Sequence, residues 1–361
     1  MVQVAPTAFG RDGIYGGGER YPLELARALA AHVDSTLLTF GPARRREREP
    51  DGLAVEVLPV MTYLRRHPAH PVSAALPRAV AGFDVVHAHH VWAVPSRVAT
   101  VAARLRGGRV AVTDHGLLGR RPLPLVRHLV DRFLPVSRYS ADVLGAPAAR
   151  TTVIYGGVDV RRHRPASAEA RSGVLFVGRL TPHKGVDRLL RALPPQAELT
   201  IVGTGGHDHD PPESGYRAYL GKLAEEHGGR VRFLGAVDDH ELVELQRRAA
   251  VLVLPSVEVT CYGKRMAVSE LLGLSVLEAM ASCTPVIASR LGGLREVVRH
   301  GETGFLVEPG DAAELRHYLE LVLDDPQLAR RLGENARQLA IERFTWDACA
   351  RRCLSAYEEI V

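Results

Sequence analysis

The chain lacks any run of apolar residues near the ~18–20 that a helix needs to cross a membrane. It also lacks a basic, apolar and small-residue leader. Met1-Val-Gln-Val runs directly into strand-like sequence, so a cytoplasmic protein is expected. Cysteine is scarce. Cys261, Cys283, Cys349 and Cys353 form no CxxC pair and no zinc-type spacing, which excludes a disulfide framework or a structural zinc module. Cys349 and Cys353 stand one helical turn apart and read as packing residues. Few aromatics are interleaved with the basic residues and no nucleic-acid module is recognisable, so no nucleic-acid partner is expected. The loop Gly16-Gly17-Gly18-Glu19 has no Lys-Ser/Thr ending, which argues against ATP or GTP hydrolysis.

What is present suits a pair of ordinary enzyme-sized domains. The chain has 361 residues, 24% of them charged, enough for two domains that each bury a core. Net charge is +5 and the sequence pI is about 9.2. Arg44-Arg45-Arg46 and Arg65-Arg66, the latter near His67, Pro68, His70 and Pro71, are clusters that attract nucleic acid, anionic lipid or an anionic acceptor. They are read chiefly as solvated surface, with peripheral membrane contact the lesser alternative.

Strand-like segments alternate with helical patterns twice over. In the first half they fall at 2–6, 35–40, 54–60, 84–89, 109–113, 133–137 and 151–155, with a helix over 19–31. In the second half they fall at 174–178, 197–203, 231–235, 251–255, 285–289 and 304–307. Near-continuous Val/Ile/Leu strands belong in parallel sheets covered on both faces, and right-handed crossovers then give two doubly wound domains. The polar stretch 159–173 reads as the linker.

The most informative stretch is Glu270-Leu-Leu-Gly-Leu-Ser-Val-Leu-Glu278. Ser275 followed by Glu278 reads as a capping box, with a helix starting at Ser275. The amides around Leu274 and Ser275 would then face an anion with the helix dipole behind them. A carboxylate in the loop and another in the first turn grip hydroxyls on either side of a phosphate, as a nucleotide-sugar requires. The bland alternative is that Glu278 caps its own helix and Glu270 is solvated. A second element, V-L-F-V-G-R-L-T-P-H-K-G, carries Arg179 and Lys184 at or just beyond a strand's carboxyl end. Ligands bind at that edge of open α/β sheets. Two cations there neutralise a departing diphosphate, or else are solvated in a surface turn.

With the E-x7-E element, Gly178-Arg179, Lys184-Gly185, Gly156-Gly157-Val158-Asp159 and Gly292-Gly293, the chain resembles the retaining glycosyltransferases of family 4. That resemblance implies an α/β, GT-B fold: two doubly wound Rossmann-like parallel-sheet domains facing a central cleft. It implies an N-terminal acceptor-side domain over 1–160, a donor-binding domain over 161–344, and a last helix over 345–361 packing back on the first domain. It implies transfer from a nucleotide-diphosphate sugar, UDP- or GDP-linked, to a hydroxyl of a small molecule or glycan, with no metal and no other cofactor. In that reading Glu270 orients the donor sugar, Glu278 holds the ribose hydroxyls, and Arg179 and Lys184 stabilise the leaving diphosphate. Gly16, Gly17, Gly178, Gly203, Leu274 and Ser275 complete the donor site.

His87-Ala-His89-His90 ends a strand without carboxylate or thiolate partners spaced for a metal. The resemblance sets one of these histidines beside the donor sugar, His89 first and His87 second; His115, in Thr-Asp-His-Gly after the next strand, reads as an acceptor-side cleft residue. Asp208-His-Asp210 matches a D-x-D metal pattern but is read as a solvated loop. A nucleotide-sugar 2-epimerase of the same fold and a non-enzymatic basic binding module are the alternative functions. The chain departs from the family in the longer segment 257–269, in Glu270-Leu-Leu-Gly273 for the usual Glu-Gly-Phe-Gly, and in Gly156 where Asn is usual. These bear on which sugar is used more than on the reaction class.

Overall fold

The computed structural model describes residues 1–8, 16–116, 127–165, 171–205 and 213–361. The chain divides into two units, Met1–Gly157 with Trp346–Val361, and Val158–Thr345. Each is built on its own parallel sheet.

The first unit contains β1 (Val2–Ala8), β2 (Thr36–Gly41), β3 (Arg45–Arg48), β4 (Ala54–Pro59), β5 (Thr62–Tyr63), β6 (Pro71–Val72), β7 (Val85–His89), β8 (Arg109–Thr113) and β9 (Arg132–Phe133). Seven form one sheet in the order β3-β4-β2-β1-β7-β8-β9, and β5 and β6 make a separate antiparallel hairpin. Every pairing in the large sheet is parallel except β3 with β4. The direction of winding reverses between β1 and β7, where Gln3 pairs in register with His87. Val2, Val4, Val86, Ala88, Val110 and Val112 bury one face of the sheet against Ala99, Ala102 and Ala103 of the helix Val94–Arg104. The opening helix, Gly17–Ala30, buries Tyr21, Leu25, Ala26 and Leu29, one stripe of a 3.6-residue repeat. The last helix, Trp346–Glu358, buries Cys349, Cys353 and Tyr357 on its own stripe. The two helices meet through Tyr21, whose ring lies edge-on to Trp346 at 5.0 Å and whose hydroxyl is 3.2 Å from Cys349 Sγ. All four cysteines are free.

The second unit contains β10 (Ser172–Val177), β11 (Leu199–Val202), β12 (Val231–Gly235), β13 (Ala249–Leu254), β14 (Val286–Ser289) and β15 (Phe305–Val307). Their order is β12-β11-β10-β13-β14-β15, all parallel. The reversal here falls between β10 and β13, so the strand ends of both mark a ligand-binding edge.

Two local expectations are corrected. The strand expected over 133–137 stops at Phe133, and 151–155 runs beside it through the bridge Phe133–Thr151 and two bonds, Thr152 N–H to Phe133 O at 2.9 Å and Ile154 N–H to Pro135 O at 3.0 Å. Pro135 has no N–H to donate, and Tyr155 takes a left-handed φ of 56°, so the ladder ends there. The helix expected to begin at Ser275 under a capping box begins at Leu274, with Gly273 at its N-cap and no side-chain cap. The Arg44-Arg45-Arg46 cluster is exposed, as expected of solvated surface. It enters an edge strand, and Arg44 and Arg46 both pair with Glu56.

Candidate active site

In the second unit, β10 ends at Val177 and the chain passes Gly178 and Arg179 into a turn closed by Gly185. Gly185 has φ 69°, and a Cβ there would stand 2.0 Å from the carbonyl oxygen of Pro255. Only glycine lets this turn lie against the end of β13. Gly203 is constrained in the same way, since a Cβ would meet the Gly178 carbonyl oxygen at 1.9 Å. Gly178 and Gly203 therefore brace one another and fix the exit path of β10. Gly293 does this for the E-x7-E loop: its N–H donates to the Glu270 carbonyl at 2.8 Å, and a Cβ would strike Leu271 O at 2.0 Å.

These constraints bring Lys184 and Glu270, 86 residues apart, into a buried ion pair at 2.5 Å. Ser256, at the end of β13, donates to the same carboxylate oxygen at 2.6 Å. Burial alone would raise the Glu270 pKa, but the Lys184 ammonium and the bonds from Lys184 and Ser256 prevail and hold it at about 2. The carboxylate is thus ionised across the working pH range. Both donors address Oε1, and no described residue donates to Oε2, which is left to accept from a ligand. Burial first, then the Lys184 charge, lowers His183 to about 4, keeping that ring neutral beside the pair. Arg179 is exposed and has no ion-pair partner among the described residues.

Beyond Glu270, the helix Leu274–Ala281 opens with free donors. The amides of Val276 and Leu277 bond to Gly273 O, while those of Leu274 and Ser275 donate to no described residue. Glu278 is half-buried and accepts from Gln246 Nε2 at 3.0 Å, rather than capping through Ser275. The segment 257–269 folds into a tight hairpin, with Thr260 N–H on Lys264 O at 2.9 Å. It walls a cavity of about 470 Å³ shared with Arg188, Arg290 and Glu308–Gly310 at the same sheet edge.

In the first unit, the ends of β1, β7 and β8 carry a buried histidine cluster. His87, His89 and His90 are all buried, and His115 is partly so. His89 Nε2 lies 2.8 Å from Gln3 Oε1, and its Nδ1 lies 3.1 Å from His115 Nε2. Because Gln3 Oε1 only accepts, His89 carries its proton on Nε2, and His115 must donate from Nε2, leaving His115 Nδ1 as an acceptor. His87 is held between Tyr357 OH at 2.7 Å and Thr113 Oγ1 at 2.8 Å. Burial lowers His87 to about 3 and His90 to about 4, and moves His89 and His115 well below the ordinary histidine range. Gly16 caps the opening helix and Gly17 begins it, with Gly18 pressed toward His115 and His90.

The structure therefore gathers Glu270, Lys184, Gly178, Gly203, Leu274 and Ser275 at one sheet edge of the second unit, while the Glu278 carboxylate is held by Gln246 of the helix Asp239–Arg248. His89, His115, Gly16 and Gly17 lie in the first unit. Asp208 and Asp210 lie outside the described residues. Sequence reasoning missed Ser256, His183, Gln246, Gln3, Thr113 and Tyr357. Position alone could have flagged Ser256, which follows the end of an apolar strand.

Two doubly wound parallel-sheet units of this kind define a GT-B protein. A family model for glycosyl transferases group 1 matches residues 159–339, and one for glycosyltransferase family 4 matches 15–162. D-inositol 3-phosphate glycosyltransferase of Streptomyces avermitilis is 31% identical, covering 99% of this chain and 86% of its own. Glycogen synthase of Mycobacterium tuberculosis is 33% identical over 76% of this chain and 68% of its own. Among solved structures, sucrose-phosphate synthase from Thermosynechococcus elongatus aligns with a TM-score of 0.74 at 23% identity, covering 99% and 98% of the two chains. Anabaena HepE in complex with UDP aligns with a TM-score of 0.75 at 20% identity, covering 99% of each. The chain belongs to the family 4 glycosyltransferases, and its activity is glycosyl transfer.

Proposed function

We propose that the chain moves a sugar from a UDP- or GDP-sugar to an acceptor hydroxyl, with retention at the anomeric carbon and without a metal. The carrying observation is the Lys184–Glu270 pair, set beside the open amides of Leu274 and Ser275. A diphosphate placed there meets an ammonium, two helix-terminal N–H groups and the nearby Arg179 guanidinium, a cationic set that takes over the role of a divalent ion. Glu270 Oε2 accepts from a sugar hydroxyl, and Glu278 accepts from the ribose. HepE has been solved with UDP and with UDP-glucose, which supports a nucleotide-sugar as donor.

In the reaction the bond from the anomeric carbon to the diphosphate oxygen breaks as the acceptor oxygen bonds to that carbon on the same face. The acceptor proton passes to the departing phosphate oxygen. Lys184 and Arg179 stabilise the charge that develops on the diphosphate, where preorganised cations contribute most. His115 Nδ1, fixed as an acceptor by the Gln3–His89 chain, receives a hydroxyl on the acceptor side.

The test is incubation of the purified chain with UDP- and GDP-sugars and an alcohol acceptor, with and without chelator, followed by NMR of the product anomer. Transfer with the donor's anomeric configuration, unchanged by chelation, is the expected result. An inverted anomer overturns retention. Loss of turnover on chelation, restored by magnesium, overturns the metal-free assignment.

A further inference from the structure

We propose that the β5–β6 hairpin and the adjoining helix Val94–Arg104 form a docking surface for an anionic lipid bilayer. Between residues 61 and 108 stand six arginines, Arg65, Arg66, Arg78, Arg97, Arg104 and Arg106, against one acidic residue, Asp84. That balance equals the net +5 of the whole chain, so the remaining residues together are neutral. Arg104 is committed to Asp131 at 2.8 Å. The other five have no carboxylate partner among the described residues, which leaves their charge available to a surface.

The same segment holds six of the twelve large apolar side chains exposed among the described residues. On the hairpin these are Met61 at 72% exposure, Tyr63 at 41% and Leu64 at 47%. On the helix they are Val98, Val101 and, just past its end, Leu105 at 81%. Spacings of three and four residues put these last three on one helical stripe, flanking the buried stripe of Ala99, Ala102 and Ala103. The hairpin abuts the start of this helix, since Val94 N–H reaches His70 Nδ1 at 3.4 Å. Burial, the neighbouring His67 and Arg97 lower the His70 pKa, with Arg65 acting in the same sense. Arg65 and Arg66 both take left-handed backbone angles, φ 55° and 54°, a conformation usually given to glycine.

The mixture decides the partner. Aliphatic Met61, Leu64, Val98, Val101 and Leu105 offer no ring on which bases could stack, as a single-strand-binding groove requires. They suit the boundary between headgroups and acyl chains, where apolar side chains insert, guanidinium groups hold lipid phosphates and Tyr63 spans the interface. Attraction of this kind is worth about fivefold in binding per arginine and weakens with salt.

Co-sedimentation of the full chain with phosphatidylcholine vesicles, with and without phosphatidylglycerol, tests the proposal. The chain should pellet with the anionic vesicles and stay in solution with the neutral ones. Arg65→Ala with Arg66→Ala should weaken this binding roughly 25-fold. Met61→Ser with Leu64→Ser should weaken it at least fivefold, including at high salt. Arg330→Ala with Arg331→Ala, which removes two exposed charges from the helix Pro326–Arg343, should leave it unchanged. Should a hairpin variant fail to fold, Leu64→Trp gives an independent reading: its added emission should shift to the blue with anionic vesicles only. Equal weakening by the control pair would reduce the effect to bulk charge and overturn the proposal. So would binding to duplex DNA in the absence of binding to anionic vesicles.

Discussion

Two strand-end edges in this molecule solve the same problem in opposite ways. In the second unit, Lys184 and Glu270 are buried as full charges and satisfied by each other and by Ser256. In the first, His87 and His89 are buried as neutral rings hydrogen-bonded to Thr113, Tyr357, Gln3 and His115, and His90 is buried beside them with neither ring nitrogen hydrogen-bonded among the described residues. A buried ion pair costs several kcal/mol of desolvation per ion and holds only while both partners remain. A neutral hydrogen-bond chain costs far less and fixes which nitrogen carries each proton. The ionic edge suits a ligand that arrives and leaves with charge. The neutral edge suits one that presents hydroxyls.

The comparison is broken most sharply at Lys184. Lys184→Ala should cut turnover by at least ~10²-fold, the scale for losing one preorganised electrostatic contact. It should also lower stability by about 3–5 kcal/mol, because Glu270 is left buried and charged. Lys184→Met with Glu270→Gln should recover much of the stability while turnover stays low. Arg179→Ala should lower turnover on a similar scale with the melting temperature unchanged, since that side chain is exposed. If turnover in Arg179→Ala and Lys184→Ala stays near normal, the diphosphate is not held here.

Acid should distinguish the two edges next. His87 falls to about 3 in the folded chain from an ordinary value near 6.5, so the unfolded chain binds the extra proton between those limits. Stability therefore falls as pH drops through that window, by about 1.4 kcal/mol per pH unit for each histidine kept neutral. Glu270 has the depressed carboxylate pattern, and its contribution is intact above the ordinary value near 4.5 and lost only as pH falls toward 2. Between pH 6.5 and 4.5 the loss should come from the histidines, those of the first unit together with His183. His87→Asn should flatten the stability–pH profile in that range, and Glu270→Gln should not.

Much of the frame is legible in the sequence because it rests on local signals. Continuous Val/Ile/Leu runs such as 251–254 and 286–289 report buried parallel strands directly. Glycines at Gly185 and Gly203 mark places where a Cβ would strike a neighbour. The E-x7-E spacing and the Arg179–Lys184 turn carry the family. Other features are illegible for physical reasons. β3 is Arg-Arg-Glu-Arg, whose exposed charges carry no hydrophobic period and which owes its pairing to Glu56 on the next strand. Ser275–Glu278 has the letters of a capping box, yet a left-handed Gly273 sets the helix start and Gln246 claims the carboxylate. Partners such as Ser256 on Glu270 or Gln3 on His89 depend on register between distant strands. Nothing within either residue's own neighbourhood announces them.

A smaller effect separates the two carboxylates of the donor loop. Glu278→Gln should weaken nucleoside diphosphate binding by about 1.5–3 kcal/mol, the worth of a hydrogen bond to a charged group. Glu270→Gln should depress transfer more than diphosphate affinity, because its free oxygen is assigned to the sugar. Calorimetric titration beside transfer assays gives both values. Equal losses of affinity in the two variants would erase the division of roles.

The smallest expected effect tests whether the neutral edge is a specified chain or merely a packed cluster. Thr113 donates to the Leu134 carbonyl at 2.8 Å, so its oxygen must accept from His87 Nε2–H. His87 Nδ1 is then an acceptor, and Tyr357 OH must donate to it. Tyr357→Phe keeps the ring and its packing but removes that proton, leaving a buried nitrogen unsatisfied at a cost of about 1–2 kcal/mol. His87→Leu, which removes both bonds, should cost less in the Tyr357→Phe background, where the Tyr357 bond is already lost, than in the parent chain. A double-mutant cycle by urea denaturation measures that difference directly. A coupling near zero would mean that the histidines are held by shape alone, and the proton placement inferred for the cluster would lose its support.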